Sequence, residues 1–321
     1  LVAACADLLD VRERRELACW VMPNARILLG PVDRDCPLRF DDQIQLLDVG
    51  PNDRRQIATS RDLIAAANHV QSALRIGVMR DGRLHWLELP IFAVSREKAA
   101  WTLISVGLVA GVLLWIPLSL LWRSKSRAAL PLCLVHSTSA IVLIGMTCGR
   151  NSELLARMSI VSVMTIPAAV AHLGLTFPPG RRAAMEAPGL LAVPYVTTAM
   201  LLPTSWLAVE HDALLWPTVM LVVVALGAGS WLLVIVSCAI AWRESVSPLE
   251  RARARFVCVG ATLLPVVPAS LLAHDPTNPA EVISGYLWTA AIGMSWPIGL
   301  AISRYNLFNL GWDVRRAIGS L

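Results

Sequence analysis

The sequence predicts an α-helical membrane protein, with seven transmembrane helices behind a small α+β domain on the outer side of the membrane. Three observations carry that prediction. Hydrophobic residues fill 56% of the 321 positions and charged residues only 16%, which is too apolar for an ordinary soluble chain of this length. The charge is unevenly spread: residues 1–98 are rich in Arg, Asp and Glu, whereas 99–302 are long apolar runs broken by short polar loops. The basic residues sit in those loops beside the apolar runs and in no base-reading motif, so the net charge of +5 speaks for membrane topology and against nucleic-acid binding.

Within the polar segment, residues 27–29 and 44–47 read as strands. Ser60 caps a helix over 61–70, with Asp62 in its first turn. Leu74, Ile76 and Val78 then alternate with Arg75, Gly77 and Met79, the pattern of a half-buried strand, and Asp81-Gly82 is a tight turn into a second strand over 84–91. The result is an α+β unit occupying 1–98. It holds Cys5, Cys19 and Cys36. Cys19 and Cys36 form a disulfide if the domain faces an oxidising compartment and remain packed thiols if it does not. No CxxC spacing occurs, so no metal site and no cofactor are expected.

A helix needs about 20 apolar residues to cross a bilayer core of about 30 Å. Seven runs qualify, at 99–121, 128–146, 158–177, 190–209, 213–241, 256–273 and 282–302. Pro117, Pro167, Pro203, Pro265, Pro268 and Pro297 fall inside them and are tolerated where neighbouring groups satisfy the freed carbonyls. Residues 303–321 form a juxtamembrane helix.

Loop charges orient the bundle. The connections after runs one, three, five and seven carry Arg123, Lys125, Arg127, Arg181, Arg182, Arg243, Arg251, Arg253, Arg255, Arg304, Arg315 and Arg316, against Arg96, Lys98, Arg150 and Arg157 on the other side. Twelve basic residues against four place the N-terminal domain outside and the C-terminus in the cytoplasm. Trp122 and Trp242 adjoin the inner basic clusters, and Trp101, Trp206, Trp216 and Trp288 lie near the outer ends, where amphipathic indoles settle.

Ionisable groups inside such a bundle are candidate sites by default, because their burial in lipid is costly. His136 in the second run and His172 in the third are the two intramembrane histidines. A haem or quinone pair competes here with plain hydrogen bonding to a neighbouring helix, and the second is the commoner use. Arg150, Glu153 and Arg157 gather near the outer end, placed to pair with one another or to face a polar ligand. No catalytic residue is assigned. HExxH and GxSxG are absent, and Gly227-Ala228-Gly229-Ser230 is a close helix contact. Glu210-His211-Asp212 has the look of a phosphoacceptor box but lies in an outer loop without a dimerisation helix or nucleotide-binding glycines.

Two resemblances refine the reading. The stretch Leu38-Arg39-Phe40-Asp41-Asp42-Gln43-Ile44, the helix at 60–67 and the strand pair turning at Arg80-Asp81-Gly82 resemble the second half of a bacterial PDZ domain. Asp41 stands where a glycine is usual, and no Gly-Leu-Gly-Phe type loop precedes it. The resemblance implies an extended peptide added to a sheet edge, or the fold retained for a structural or dimerising role. After the seventh run, Arg304-Tyr305-Asn306-Leu307-Phe308-Asn309-Leu310 and Val314-Arg315-Arg316-Ala317-Ile318 resemble the juxtamembrane stretch of bacterial multi-pass sensor histidine kinases.

That second likeness implies the input half of a two-component receptor in the inner (plasma) membrane, without its kinase domain. Its partners would be a second copy of the chain, the lipid bilayer, and an extracytoplasmic peptide or membrane-soluble ligand. Arg304, Tyr305, Leu307, Phe308, Arg315 and Arg316 would transmit the signal. A multi-pass transporter and a membrane scaffold are the alternatives. The odd number of runs and the lack of an inverted repeat weigh against the first, and a scaffold has no need of seven runs. Because the chain opens on Leu1 and reaches Leu321 inside a predicted helix, it is expected to be a piece of a longer protein that has lost a leader or an N-terminal anchor.

Overall fold

The computed structural model describes residues 14–17, 19–21, 28–31, 36–38, 42–50, 53–57, 60–67, 69–70, 72–94, 96–123, 129–148, 153–177, 188–210 and 215–263. Arg150, the sixth run beyond 263, the seventh run, and Arg304, Tyr305, Leu307, Phe308, Arg315 and Arg316 lie outside them.

Among the described residues the N-terminal part holds antiparallel strands and one helix. Strands β1 (Arg14–Leu17), β4 (Gln43–Gly50), β5 (Asp53–Gln56), β6 (Ala73–Arg80) and β7 (Arg83–Val94) lie in the order β1-β7-β6-β4-β5. Strands β2 (Cys19–Val21) and β3 (Leu28–Pro31) make a separate pair, and helix α1 runs from Ser60 to Ala67. The alternation expected at 74–79 is present in space. Leu74, Ile76 and Val78 are buried with Leu63, Ala66 and Ala67 of α1 and with Leu89 and Ile91 of β7, while Arg75 points to solvent.

The β6–β7 turn has positive φ at both Asp81 (51°) and Gly82 (72°). Two successive left-handed residues give the turn the twist of the strands it joins, which is why an Asp-Gly pair occupies it. On the opposite face of β6, Gly77 lies beneath Trp86: a Cβ there would stand 3.0 Å from Leu46 Cβ and 3.3 Å from Trp86 Cζ3. The indole lies across the glycine, with Arg54 and Arg75 at 5.1 and 5.5 Å from its centroid.

The segment leading into β4 is fastened at two points. Cys36 is disulfide-bonded to Cys19 of β2, so of the two states left open for these cysteines the oxidised one is realised. Asp42, 2% exposed, accepts two hydrogen bonds of 2.6 Å from Arg80 Nε and Nη2, and Nη2 also donates to Pro37 O at 3.2 Å. A carboxylate is tolerated in an apolar core when a planar guanidinium meets both its oxygens.

Among the described residues six helices follow: α2 (Arg96–Arg123), α3 (Ala129–Cys148), α4 (Glu153–Thr176), α5 (Pro188–Glu210), α6 (Leu215–Glu244) and α7 (Pro248–Leu263). Three stretches of the described residues are long and apolar enough to cross a membrane, Leu154–Thr176, Gly189–Ala208 and Thr218–Glu244. They correspond to the third, fourth and fifth predicted runs. The apolar stretches within α2 and α3, Val106–Trp115 and Ala129–Gly145, are shorter, and α7 starts eight residues ahead of the sixth run.

Helices α2 to α6 are apolar nearly all the way round, the pattern of elements surrounded by other helices or by lipid. Only 11% of the α5 window and 17% of the α6 window is buried within the protein, against 39% for α4. Met200 and Leu221 are at least 70% exposed. Apolar surface on that scale is stable against lipid and unfavourable against water.

Inside the apolar helices the hydroxyls turn back on their own backbone. Thr138, Ser139, Thr165, Thr176, Thr197 and Thr204 each donate to the carbonyl four residues earlier, at 2.6 to 3.4 Å. Such a bond satisfies the donor where no water is present. Pro167 lies within α4, and Pro194 and Pro203 within α5. Helices α3 and α4 approach so closely at Gly145 that a Cβ there would overlap Ser159 Oγ and stand 2.8 Å from Ser159 Cβ and 2.9 Å from Leu155 O.

Candidate functional site

Three contacts of polar side chains join α4 to α5. Arg157, one turn into α4, lies with its guanidinium carbon 4.8 Å from the ring centroid of Trp206, near the end of α5. In the middle, Thr198 Oγ1 donates to Met164 O at 3.4 Å. At the other end, His172 Nδ1 is 2.9 Å from Tyr195 Oη, and the two rings meet edge to face with centroids 5.6 Å apart. These three contacts are the rungs of an antiparallel helix pair, and Arg157 and His172 are about 22 Å apart along α4 at the usual rise per residue.

The seam matters because α5 is lightly buried. Val193, Val196, Met200 and Leu207 of α5 are exposed, and among its described residues only Thr198, Ser205 and Ala208 are buried, with Ala208 and Leu202 packed against Val219 and Val223 of α6 as well as against α4. Lipid tails are as apolar as these side chains, so hydrophobic burial provides no net force to dock α5; packing and interhelical polar contacts must do so. Each such contact contributes about 0.6 kcal/mol, up to about 1.7, and a cation over an indole about 0.5–2 kcal/mol. Together they hold α5 by a few kcal/mol, a range that a ligand or a lateral displacement can overcome.

His136 behaves differently. It is 2% exposed in α3, and its Nδ1 lies 2.9 Å from Leu132 O on its own helix. A carbonyl only accepts, so Nδ1 carries the proton and, in the neutral ring, Nε2 is an acceptor. Nε2 is buried without a hydrogen-bond partner. His136 thus uses Nδ1 within its own helix, and it shares no hydrogen bond with His172. His172 instead bonds a neighbouring helix, the commoner use of an intramembrane histidine.

Arg157 meets an indole on α5, Glu153 begins α4, and Arg150 lies outside the described residues. Among the described residues no group of three or more His, Cys, Asp or Glu is placed to hold a metal ion. Cys133, Cys238 and Cys258 are buried thiols outside any disulfide.

Sequence reading passes over Tyr195 and counts Trp206 only as an interfacial anchor. The signal that finds both is the hairpin itself. If α4 and α5 are antiparallel about the connection at 177–187, a residue on one helix meets the residue about as far from the turn on the other. Arg157 then points to the neighbourhood of 206, and His172 to that of 195. Tyr195 and Trp206 are the aromatic residues of α5, and each carries a polar tip.

No family model matches this chain, and neither a curated protein nor a solved structure has significant similarity to it.

Proposed function

We propose that this chain is the sensing and transmembrane-signalling input region of a bacterial sensor histidine kinase. In this reading, residues 1–98 form a PDZ-like domain outside the plasma membrane, 99–302 a bundle of seven spans, and 303–321 a cytoplasmic juxtamembrane helix leading toward an effector. The chain acts as a homodimer. Ligand arrives as an extracytoplasmic peptide or a membrane-soluble molecule, and no step of catalysis belongs to this region.

The observation that carries the reading is the connection between β7 and α2. Strand β7 is flanked by both β1 and β6, and only one residue separates its end at Val94 from the start of α2 at Arg96. A displacement of the sheet therefore reaches the first apolar helix with almost no slack, whereas a flexible tether would absorb it. The Cys19–Cys36 disulfide supports an oxidising location for the sheet, and α5, little buried within the protein, is the element that would shift between two positions, as coupling between sites requires. In this reading the residues that resemble the kinase juxtamembrane stretch, Arg304, Tyr305, Leu307, Phe308, Arg315 and Arg316, would carry that displacement inward.

The test is a chimera in which residues 1–321 precede the catalytic core of a well-behaved histidine kinase, reconstituted in vesicles and assayed by autophosphorylation. Inserting four glycines between Val94 and Arg96 should change the phosphorylation level and abolish its response to deletion of residues 1–94. An insertion without effect on either would sink the reading.

A further inference from the structure

The turn joining α6 to α7 carries a cluster of arginines that the sensing role does not use. Arg243, Arg251 and Arg255 are exposed, and Arg253, between the last two on α7, is buried at 9% exposure. Residues 251 and 255 are one helical turn apart and share a face. The Arg255 guanidinium lies 5.8 Å from the ring centroid of Trp242, itself 41% exposed at the end of α6. Arg251 Nη2 donates to Ser245 O at 2.9 Å, which holds the side chain against the turn.

Two carboxylates are close in sequence, Glu244 and Glu250. Ser245 Oγ hydrogen-bonds Glu250 Oε2 at 2.9 Å, and Ser247 Oγ accepts from Glu250 N at 3.4 Å in an N-terminal cap. Among the described residues no carboxylate forms an ion pair with Arg243, Arg251 or Arg255. The positive charge of the cluster is left for another partner.

What surrounds the cluster fits one kind of partner. On α7 the exposed face continues from Arg251 and Arg255 to Val259 and Thr262, and on α6 an exposed face runs back from Arg243, next to Trp242, through Ile240, Val236 and Leu232. Each is charged at one end and apolar beyond, with an indole at the boundary. A free phosphate uses only the charged end, whereas a phospholipid uses both.

We propose that Arg251 and Arg255, with Trp242 beside them and Arg243 at the rim, form a headgroup site for an anionic phospholipid whose acyl chains lie along the exposed faces of α6 and α7. The proposal rests on α6 crossing a membrane, not on the sensing role.

The full chain in mild detergent, titrated with phosphatidylglycerol or phosphatidylcholine and followed by native mass spectrometry, provides the test. Phosphatidylglycerol is expected to bind in preference. A basic residue near an anionic surface is worth about fivefold in affinity, so R251A/R255A should weaken phosphatidylglycerol binding by about twenty-five-fold and leave phosphatidylcholine unchanged. R251K/R255K should retain most of the affinity, which separates lost charge from lost fold. Equal loss for both lipids, no loss, or displacement of the lipid by millimolar inorganic phosphate would overturn the proposal. Flotation of the same protein with vesicles distinguishes the two failures: a chain that does not float refutes the membrane reading itself, and one that floats without lipid preference refutes the headgroup site alone.

Discussion

Substitution of Gly145 by alanine probes the close approach of α3 and α4. The new Cβ would overlap Ser159 Oγ and come within 2.8 Å of Ser159 Cβ and 2.9 Å of Leu155 O. Carbon atoms in contact ordinarily sit about 3.5–4.0 Å apart, so turning the serine hydroxyl away is not enough: α3 and α4 must separate locally by roughly 1 Å. Overpacking of this kind costs about 1–3 kcal/mol. Unfolding in mixed micelles of increasing SDS content, followed by tryptophan fluorescence, should show G145A destabilised by that amount. G145A/S159G should regain most of the loss, because two of the three clashing atoms disappear. The control is Gly111 on an exposed part of α2, where an added Cβ meets nothing within 4 Å. G111A should be neutral or stabilising by about 0.5–1 kcal/mol, since alanine loses less chain entropy than glycine in a helix. If G145A unfolds within about 0.5 kcal/mol of the parent, the size of change ordinary surface substitutions produce, the close approach of α3 and α4 is wrong.

Four further outcomes follow from other parts of the fold. Asp42→Ala leaves the Arg80 guanidinium largely buried without its carboxylate partner and should destabilise the N-terminal domain by about 3–5 kcal/mol, read as earlier proteolysis of the sheet on heating. Cys36→Ser opens a 17-residue separation and should cost about 3 kcal/mol in the same assay, and mass spectrometry after alkylation should find Cys19 and Cys36 modified only after reduction. Tyr195→Phe removes the hydrogen bond to His172 and should loosen α5 by about 0.6 kcal/mol, with hydrogen exchange rising in α5 and unchanged in α3; uniform exchange in both helices would argue against a locally held α5. His136→Leu removes an acceptor that has no partner, and should raise stability by about 1 kcal/mol in the SDS assay; a large loss would show that Nε2 has a partner after all.

Local pattern made parts of this molecule readable in advance. A period of two over Leu74, Ile76 and Val78, followed by Asp81-Gly82, identifies the β6–β7 hairpin because side-chain direction and turn handedness are properties of neighbouring residues. Continuous apolar runs identify α2 to α6 for a similar reason: a helix satisfies its own backbone, so composition over about 20 residues suffices to locate it. The edge strands β1 and β5 are the contrast. Arg14–Leu17 and Asp53–Gln56 are four residues each and have no apolar alternation; they are strands because β7 and β4 offer them hydrogen bonds.

The sequence by itself therefore determined the β6–β7 hairpin, the helix at 60–67 and the long apolar helices, and which segments are too apolar to sit in water. It also singled out His136, His172 and Arg157 as ionisable groups in an apolar setting. Only the tertiary structure decided what each of them meets. His172 finds Tyr195 across 23 residues, Asp42 finds Arg80 across 38, and His136 turns back to its own helix. Contacts of that separation depend on helix rotation and strand order, which are set by the packing of the whole chain, and no window along the sequence contains that information.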